Sequence, residues 1–347
     1  MTKFFLAPLF DSNQSTVALV SLLRGETLET GSTLFLNPTG QRFEITAATL
    51  VPQIEAADYV LIPQAVTQLT PVVRTYLDQV RRLAKAAGKQ VVVFIGGDLS
   101  HRIFIDDMIV LKGSQYGRRK RPNEIIVPPL VEDLGAMPGR PKAGRAVVGF
   151  CGWAAPNGFA GWLKYWLKNF FTFQTVFKKG LYFRRRVLKA LNQSNLVKTN
   201  FIVRRSFSGN IKTVSGDPAR LRREYVDNIF NSDFILAPKG DGNFSLRFYE
   251  TLSAGRIPVL IDTDCVLPLE GAINYDEVMV RVAYQNLDQA DKIISDWYKK
   301  LSPTDWLAKQ QAARELFAAK LRYDQFFNLL LARPLEDWLQ SPLLLGR

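Results

Sequence analysis

A glycine-containing loop between a strand pattern and a helix pattern is the part of this sequence best suited to chemistry. The stretch "FILAPKGDGNFSLRFYETLSAGRIPVLI", residues 234–261, joins an apolar run, a loop at 239–243 and a helical pattern that stops at Gly255. Glycines allow positive φ angles and a close approach of the backbone to a ligand. The free N–H groups and the positive dipole end of a helix N-terminus bind anions, phosphates above all. The pattern therefore predicts an anion site.

Two charged side chains in the helix pattern fit the same chemistry. Arg247 falls in the first turn, where a guanidinium can add a charge-assisted hydrogen bond to a phosphate. Glu250 follows three residues later on the same helix face. Its carboxylate, one turn deeper, suits two neighbouring hydroxyls such as a ribose diol. A plain strand–loop–helix unit with solvated charges is the alternative interpretation.

The elements around this loop alternate between strand and helix patterns. Residues 57–64 and 91–95 read as apolar strands, and 70–90 reads as a helix with Thr70 as N-cap and a proline at its first position. In the second half, 217–232 reads as a helix capped by Asp217. This alternation predicts an α/β fold with parallel sheets covered by helices on both faces.

The length and composition bound the class of protein. A chain of 347 residues exceeds the size of a single core, so two domains are expected, with the Gly/Pro/Lys-rich link at 135–145 as the boundary. Cys151 and Cys265 are its only cysteines, which suits a reducing compartment. His101 is the only histidine, which argues against His-based metal sites and catalytic triads. The sequence contains no window of about 18 uncharged apolar residues, so no transmembrane helix is predicted.

The positive charge of the chain is concentrated in one segment. The net charge is +13, yet residues 134–216 contain fifteen Lys and Arg and no Asp or Glu. Such a block indicates a polyanionic partner: membrane lipid, nucleic acid or an acidic substrate.

Within this acid-free segment, residues 162–179 fit a two-faced helix. At 100° per residue the aromatic and apolar residues fall on one face, namely Trp162, Tyr165, Trp166, Phe170, Phe173, Val176 and Phe177. The lysines fall on the other face, namely Lys164, Lys168, Lys178 and Lys179. This is the pattern of an interfacial membrane helix, and the segment 162–189 is a candidate for contact with an anionic membrane. An amphipathic helix packed on its own domain is the alternative.

The stretch "APKGDGNFSLRFYETLSAGRIPVLIDTDCVLPLE" and the motif "PNEIIVPPLVEDLG" resemble the exostosin-like glycosyltransferases, family 47. The resemblance covers roughly residues 90–300 and is strongest around 234–270. It implies the GT-B architecture, in which two Rossmann-like domains face a cleft. On this basis we expect an N-terminal acceptor-side domain at 1–143, a C-terminal nucleotide-sugar domain at 144–320, and a helical tail at 321–347 that packs back on the first domain.

The resemblance also implies an activity and a set of site residues. It predicts an inverting transferase that moves a sugar from a nucleotide-sugar donor, expected to be UDP-linked, to a polysaccharide or glycolipid. Donor binding is then predicted for Lys239, Gly240, Gly242, Asn243, Ser245, Arg247 and Glu250. The loop and Arg247 would hold the diphosphate, and Glu250 would hold the ribose.

Inversion needs one general base to take the proton of the acceptor hydroxyl. Asp98 follows Gly96 and Gly97 just past the carboxyl end of strand 91–95, where open parallel sheets place ligand groups. It is the predicted base, although a helix N-cap role is the alternative and many relatives carry a His-Asp pair where this chain has "GGDLS". The rivals for the role are Asp106, Asp107 and Glu132, with His101 as a nearby hydrogen-bonding or structural residue.

No metal ion or cofactor is predicted beyond the donor itself. The motif "IDTDC" at 261–265 contains two carboxylates after a strand, but two carboxylates alone make a weak site for a hard cation. We therefore expect a metal-independent enzyme that works in the cytoplasm or, as a peripheral protein, on the cytoplasmic face of a membrane. The alternatives are a basic nucleic-acid-binding protein, although no nucleic-acid module is recognisable, and a peripheral membrane protein without catalytic activity.

Overall fold

The structure is a computed structural model of the chain. It describes residues 1–28, 41–97, 100–135, 137–156, 158–206 and 215–339. The predicted base, Asp98, lies outside the described residues.

The N-terminal half forms a parallel sheet of six strands in the order β2-β1-β3-β4-β5-β6. The strands are β1 (Thr2–Leu6), β2 (Ala48–Leu50), β3 (Tyr59–Leu61), β4 (Gln90–Ile95), β5 (Ile109–Lys112) and β6 (Glu124–Ile126). Alternate residues of β4 enter two different apolar clusters: Val92 and Phe94 face one, Val91 and Val93 the other. A strand buried on both faces reads as a continuous apolar run, which is the pattern at 91–95.

The C-terminal half forms a second parallel sheet, of five strands, in the order β11-β10-β9-β7-β8. These strands are β7 (Val147–Trp153), β8 (Lys198–Arg204), β9 (Phe234–Ala237), β10 (Ile257–Asp262) and β11 (Val280–Ala283). Strand β9 lies between β10 and β7, so the loop that follows it emerges from the interior of the sheet. The predicted α/β fold with two Rossmann-like units is confirmed.

The helices connect these strands and cover them. They are α1 (Ala18–Leu23), α2 (Pro71–Ala86), α3 (Gly158–Phe170), α4 (Gly180–Asn192), α5 (Pro218–Phe230), α6 (Leu246–Ser253), α7 (Ala290–Lys299), α8 (Pro303–Leu316), α9 (Tyr323–Leu330) and α10 (Leu335–Leu339). Both N-caps expected from the sequence are present. The Thr70 side chain accepts from the Val73 N–H in α2, and Asp217 accepts from two N–H groups of α5.

The last two helices lie against the N-terminal sheet, although they follow the C-terminal one in the chain. The Asn328 side chain accepts a hydrogen bond from the Ala47 N–H at 3.1 Å. The hydroxyl of Tyr59 on β3 donates to Glu336 at 2.5 Å. The exact domain bounds at 143 and 320 stay predictions.

A seam of polar contacts joins the two halves beside the loop after β9. The Gly117 N–H donates to the Asp264 carbonyl at 2.8 Å, and Arg118 forms an ion pair with the Asp264 carboxylate at 2.8 Å. The Asn243 N–H donates to the Ser114 hydroxyl at 2.8 Å. The segment that follows β5 in the N-terminal half therefore contacts both the glycine loop after β9 and the residues just after β10 in the C-terminal half.

The predicted helix at 162–179 is shorter than the sequence pattern suggested. Helix α3 ends at Phe170, and a separate turn of 3₁₀ helix follows at 175–177. Within that turn Val176 is buried, and Phe177 packs edge-on against Tyr116 with ring centroids 4.9 Å apart. Val176 is thus buried and Phe177 is half-buried against Tyr116, so neither residue belongs to a continuous aromatic helix face. In the described part of the chain, no helix combines the length and apolar character needed to cross a bilayer.

Candidate functional site

The loop after β9 has the strand–loop–helix geometry that the sequence predicts. All four residues of β9 are buried, and α6 begins at Leu246 with Ser245 in the N-cap position. The Ser245 side chain makes no capping hydrogen bond within the described residues. The start of an eight-residue helix therefore lies beside the glycine loop, with its dipole directed at that loop.

A cavity of about 790 Å³ opens in front of this helix N-terminus. Of the predicted donor residues, it is lined by Gly240, Ser245, Arg247 and Glu250. Its cationic lining residues are Lys164, Lys168, Lys179, Arg184, Arg204, Arg205 and Arg247. Asp241 and Glu250 are its acidic lining residues. The excess of cations makes the cavity a site for an anionic ligand.

Arg247 is held in place by backbone carbonyls. It donates to the Cys151 carbonyl at 2.7 Å and packs over the Phe150 ring, 4.6 Å from its centroid. Its Nε is buried and has no hydrogen-bond partner among the described residues. A Cβ at Gly152 would lie 2.9 Å from Arg247 Nη2, so glycine makes room for the guanidinium. The side chain is thus positioned, with donor capacity left for a ligand.

A second arginine, missed by the sequence analysis, lies in the same cavity. Arg184 of α4 donates to the carbonyls of Trp153 at 3.1 Å and Lys239 at 3.2 Å. Its buried Nε also has no partner among the described residues. Burial, and then the positive charge of Arg247, lower the pKa of Arg184 to about 10. A bound polyanion would offset both effects.

Gly180 explains how Arg184 reaches the glycine loop. Its N–H donates to the Gly240 carbonyl at 3.2 Å. A Cβ at this position would lie 2.0 Å from the Lys239 carbonyl oxygen, so only glycine permits this approach. The signal in the sequence was the glycine that opens "GLYFRRR", but its partner loop is about sixty positions away and cannot be read from local pattern.

Glu250 lines the cavity and is already hydrogen-bonded within the protein. It accepts from Arg222 at 2.9 Å and from the Tyr225 hydroxyl at 2.5 Å. Burial, and then the Glu250 charge, raise the pKa of Tyr225 well above its usual range, so this hydroxyl stays protonated and donates. A carboxylate has about four acceptor positions, so further bonds to a diol remain compatible with these two.

Lys239 and Asn243 contact protein groups at the seam between the two sheets. Lys239 is buried and donates to the Tyr116 hydroxyl at 2.9 Å and the Val176 carbonyl at 2.7 Å. Burial lowers the pKa of Lys239 to about 7. The Asn243 side chain accepts from the Thr263 hydroxyl at 2.6 Å. These two side chains, with the buried Gly242, shape the loop but do not line the cavity. Their role as donor ligands stays a prediction.

Helix α3 forms one wall of the cavity with the face that carries its lysines. The lining residues of this helix are Gly161, Lys164, Tyr165, Lys168 and Asn169, at helical spacing. The helical pattern predicts Tyr165 on the aromatic face opposite the lysines, whereas the structure places it with them beside the cavity. The sequence offered no signal for which face would turn inward.

The candidates for the general base have different surroundings. Asp98 lies outside the described residues, so its role stays a prediction. Asp106 is exposed and paired with Arg121, and Asp107 has a positive φ of 57°. Glu132 accepts from Arg222 at 2.7 Å, which links it to Glu250 through a shared arginine. His101 is buried and packs edge-on against Tyr116.

The two carboxylates of the "DTD" motif are each paired with an arginine. Asp262 accepts from Arg281 at 2.9 Å, and Asp264 accepts from Arg118 at 2.8 Å. Within the described residues, no group of three or more His, Cys, Asp or Glu side chains is arranged to hold a metal ion. Both carboxylates therefore take part in ion pairs within the protein, Asp264 at the seam and Asp262 at the end of β10.

A protein-family model matches a stretch that contains much of the cavity lining. The model described as the Exostosin GT47 domain matches residues 168–296, which include the glycine loop and α6. The predicted resemblance to the exostosin-like glycosyltransferases is thereby confirmed over this stretch, which is shorter than the expected range of about 90–300.

Individual exostosin-like relatives match shorter stretches. A probable glucuronosyltransferase of Oryza sativa subsp. japonica is 34% identical over 25% of this chain and 20% of its own length. An exostosin-1 homolog of Caenorhabditis elegans is 30% identical over 31% of this chain and 27% of its own. A probable beta-1,4-xylosyltransferase of Arabidopsis thaliana is 32% identical over 25% of this chain and 20% of its own. The chain thus spans about a fifth to a quarter of the length of these relatives.

Proposed function

We propose that this protein is a glycosyltransferase that takes a sugar from a nucleotide-sugar donor, UDP-linked, and transfers it with inversion to a polysaccharide or glycolipid. The donor diphosphate would bind in the cavity between the α6 N-terminus and α4. The ribose would lie toward Glu250, one helical turn deeper. The acceptor would approach from the N-terminal sheet, whose segment after β4 carries Asp98.

The observation that carries this proposal is the pair of incompletely satisfied arginines at a helix N-terminus. Arg184 and Arg247 enter the cavity from two helices, and each has a buried Nε without a partner among the described residues. Leaving a buried charged donor unsatisfied costs more than a typical hydrogen bond contributes. A diphosphate supplies the acceptors and the negative charge that both guanidinium groups need, and it is the part common to nucleotide-sugar donors.

The chemistry requires two further contributions from the chain. Positive groups that remain in the cavity would stabilise the departing nucleotide diphosphate as its negative charge develops. A carboxylate would accept the acceptor proton, and Asp98 is the residue we assign to this role. Transfer by this route would need no metal ion, because the arginines and lysines supply the countercharge.

We also propose where the enzyme works. The two cysteines, Cys151 and Cys265, are both buried and free, which suits a reducing compartment such as the cytoplasm. The acid-free basic segment favours a position on the cytoplasmic face of a membrane, where anionic lipids attract lysines and arginines.

Donor hydrolysis tests this proposal without knowledge of the acceptor. The purified chain would be incubated with a panel of nucleotide sugars while release of the nucleotide is followed. We expect slow release from one UDP-sugar or a few, competitively inhibited by UDP. Arg247→Ala should slow this release and weaken the inhibition by UDP, because it weakens diphosphate binding, whereas a variant at a surface arginine outside the cavity, Arg24→Ala, should leave release unchanged.

Calorimetry with UDP supports or opposes the donor site independently of turnover. Saturable binding of UDP, competed by its sugar conjugate, would support it. Absence of both UDP binding and nucleotide release across the panel would contradict the proposed function.

A further inference from the structure

Helix α3 carries an apolar face that no other part of the described chain covers. None of its side chains is buried, and Phe159 and Trp166 remain 84% and 59% exposed. The face consists of Phe159, Trp162, Leu163, Trp166, Leu167 and Phe170, and it continues into Phe171 and Phe173. We call this set the α3 apolar face. Contiguous exposed apolar surface of this kind marks an interaction site in soluble proteins.

The geometry of α3 makes this face a single stripe. Its residues recur at steps of three and four, which places them on one side of a helix. The rings of Trp166 and Phe170 stack with centroids 5.2 Å apart, and those of Phe170 and Phe171 meet edge-on at 5.4 Å. The aromatic side chains of this stripe thus contact one another along the helix surface.

The charge around the stripe has one sign. Helix α3 lies inside the segment 134–216, which has fifteen Lys and Arg and no acid. Lys164 and Lys168 are exposed at the cavity side of the helix, and the guanidinium of Arg185 lies over the Trp162 ring, 4.2 Å from its centroid. Aromatic and aliphatic residues flanked by lysines and arginines are the composition of helices that lie in the headgroup region of anionic membranes.

We propose that the α3 apolar face docks onto an anionic lipid bilayer, with the opposite face of the same helix remaining a wall of the donor cavity. The charge decides the occupant. A second copy of this chain would bring an equally basic surface to the contact, whereas anionic lipid attracts the nearby Lys and Arg side chains. Docking deepens the proposed function, because it places the cavity beside the headgroup layer from which a glycolipid acceptor would come.

Vesicle co-sedimentation tests the docking directly. The full chain would be mixed with vesicles of phosphatidylcholine alone, or of phosphatidylcholine with phosphatidylglycerol. We expect binding to the anionic vesicles that declines with added salt, since screening shortens the reach of charges from about 10 Å at 0.1 M to about 3 Å at 1 M. Equal binding to both vesicle types, or binding to neither, would overturn the proposal.

A matched pair of triple variants tests whether vesicle binding depends on the α3 apolar face or on exposed apolar residues in general. Trp166→Ser, Phe170→Ser and Phe173→Ser together should lower partitioning into anionic vesicles by about tenfold or more, because each removes apolar area that would leave water. The control replaces three exposed apolar residues elsewhere, Val72, Leu83 and Leu307, by serine. Equal loss of vesicle binding in both triples would contradict a specific docking face.

Binding of UDP distinguishes failure of the docking from failure of the donor site. The α3 triple variant should keep the UDP affinity of the parent chain while losing vesicles, and Arg247→Ala should lose UDP affinity while keeping vesicles. If the unmodified chain binds vesicles but not UDP, the proposed function fails and the docking stands. If it binds UDP but not anionic vesicles, the docking fails and the donor site stands.

Tryptophan quenching tests the docking first on the unmodified protein, where the result does not depend on how a variant folds, and then on one conservative variant. Phospholipids brominated in the acyl chain should quench tryptophan fluorescence on anionic vesicles. The conservative variant with Trp162→Phe and Trp166→Phe should remove most of this quenching. Vesicle binding without quenching would show that the attachment is purely electrostatic. It would contradict the proposal that the α3 apolar face enters the bilayer. Concentration-dependent dimers abolished by the α3 triple variant would instead identify a second copy as the occupant.

Discussion

The two parallel sheets differ in how they hold positive charge. In the N-terminal sheet, Lys112 at the end of β5 pairs with Glu124 of β6 at 2.6 Å, and both are fully buried. In the C-terminal half, Arg184 and Arg247 donate to backbone carbonyls. Among the described residues, no carboxylate lies within ion-pair distance of either arginine.

This difference separates structural cations from cations that can bind a ligand. A buried lysine that is neutralised by a glutamate exerts little electrostatic attraction on an anionic substrate. Removing either partner leaves an uncompensated buried charge. An arginine oriented by carbonyls keeps its full charge and part of its donor capacity. The proposed anion site therefore belongs to the C-terminal sheet, and the proposed acceptor chemistry belongs to the N-terminal one.

The largest effect is expected at Asp98, on the N-terminal side. Asp98→Asn keeps the shape and most hydrogen bonds but removes basicity, so kcat should fall by roughly 10²–10⁴, the usual contribution of general base catalysis. UDP affinity should barely change, because the proposed donor site lies at the C-terminal sheet. Steady-state kinetics and calorimetry on the same preparation measure both.

Two results would contradict the role of Asp98 as the general base. Near-normal turnover of Asp98→Asn would exclude Asp98 and direct the same substitution to Asp106, Asp107 and Glu132. A variant that loses UDP affinity or unfolds at lower temperature would identify Asp98 as a structural cap.

Arg247→Ala is expected to have the next largest effect. Loss of a charge-assisted hydrogen bond should cost roughly 1.5–3 kcal/mol, which raises the Kd for UDP by about tenfold to 150-fold. The matched control is Arg281→Ala, since Arg281 pairs with Asp262 and Glu270, each at 2.9 Å, away from the cavity lining. That control should lower the melting temperature and leave UDP affinity intact. Equal UDP affinity of Arg247→Ala and the parent chain would remove Arg247 from the site.

Lys239 predicts a pH dependence of stability. Its folded pKa of about 7 lies below the ordinary value of 10.5, so between these values the unfolded chain binds more protons. Stability should therefore rise with pH in this window, by at most about 1.4 kcal/mol per pH unit from this group. Chemical denaturation of the parent chain and Lys239→Met at pH 7 and at pH 9 measures it, with both pH values lying within this window.

The variant isolates the contribution of Lys239 from that of other titrating groups. The free energy of unfolding should increase less with pH in Lys239→Met than in the parent chain. Identical pH slopes would mean that Lys239 remains charged in the folded protein and would contradict this prediction.

The smallest effect is expected from chelation. Asp262 and Asp264 are each neutralised by an arginine, and the cavity already contains cationic groups. Nucleotide release should therefore be the same with and without excess EDTA. A complete loss of activity that Mn²⁺ or Mg²⁺ restores would contradict the metal-independent assignment.

The sequence by itself determined the local features of this protein. The N-caps at Thr70 and Asp217, the turn from β9 into α6 and the basic segment 134–216 follow from residue types at short spacing, and local backbone physics decides such features. The alternation of elements predicted both parallel sheets. Less regular pieces, such as the short strand β2, lack a pattern long enough to be recognised.

Only the tertiary structure decided which partner each site residue meets. Lys239 and Tyr116 are 123 positions apart, and Arg247 and Cys151 are 96 positions apart, so no local pattern joins them. The packing of α3 and α4 beside the loop after β9 placed Arg184 in the cavity and turned the lysines and Tyr165 of α3 toward it, while the tryptophans and phenylalanines of α3 face outward. An amphipathic pattern shows that a helix has two faces, but the free energy of packing against neighbouring elements determines which one is buried.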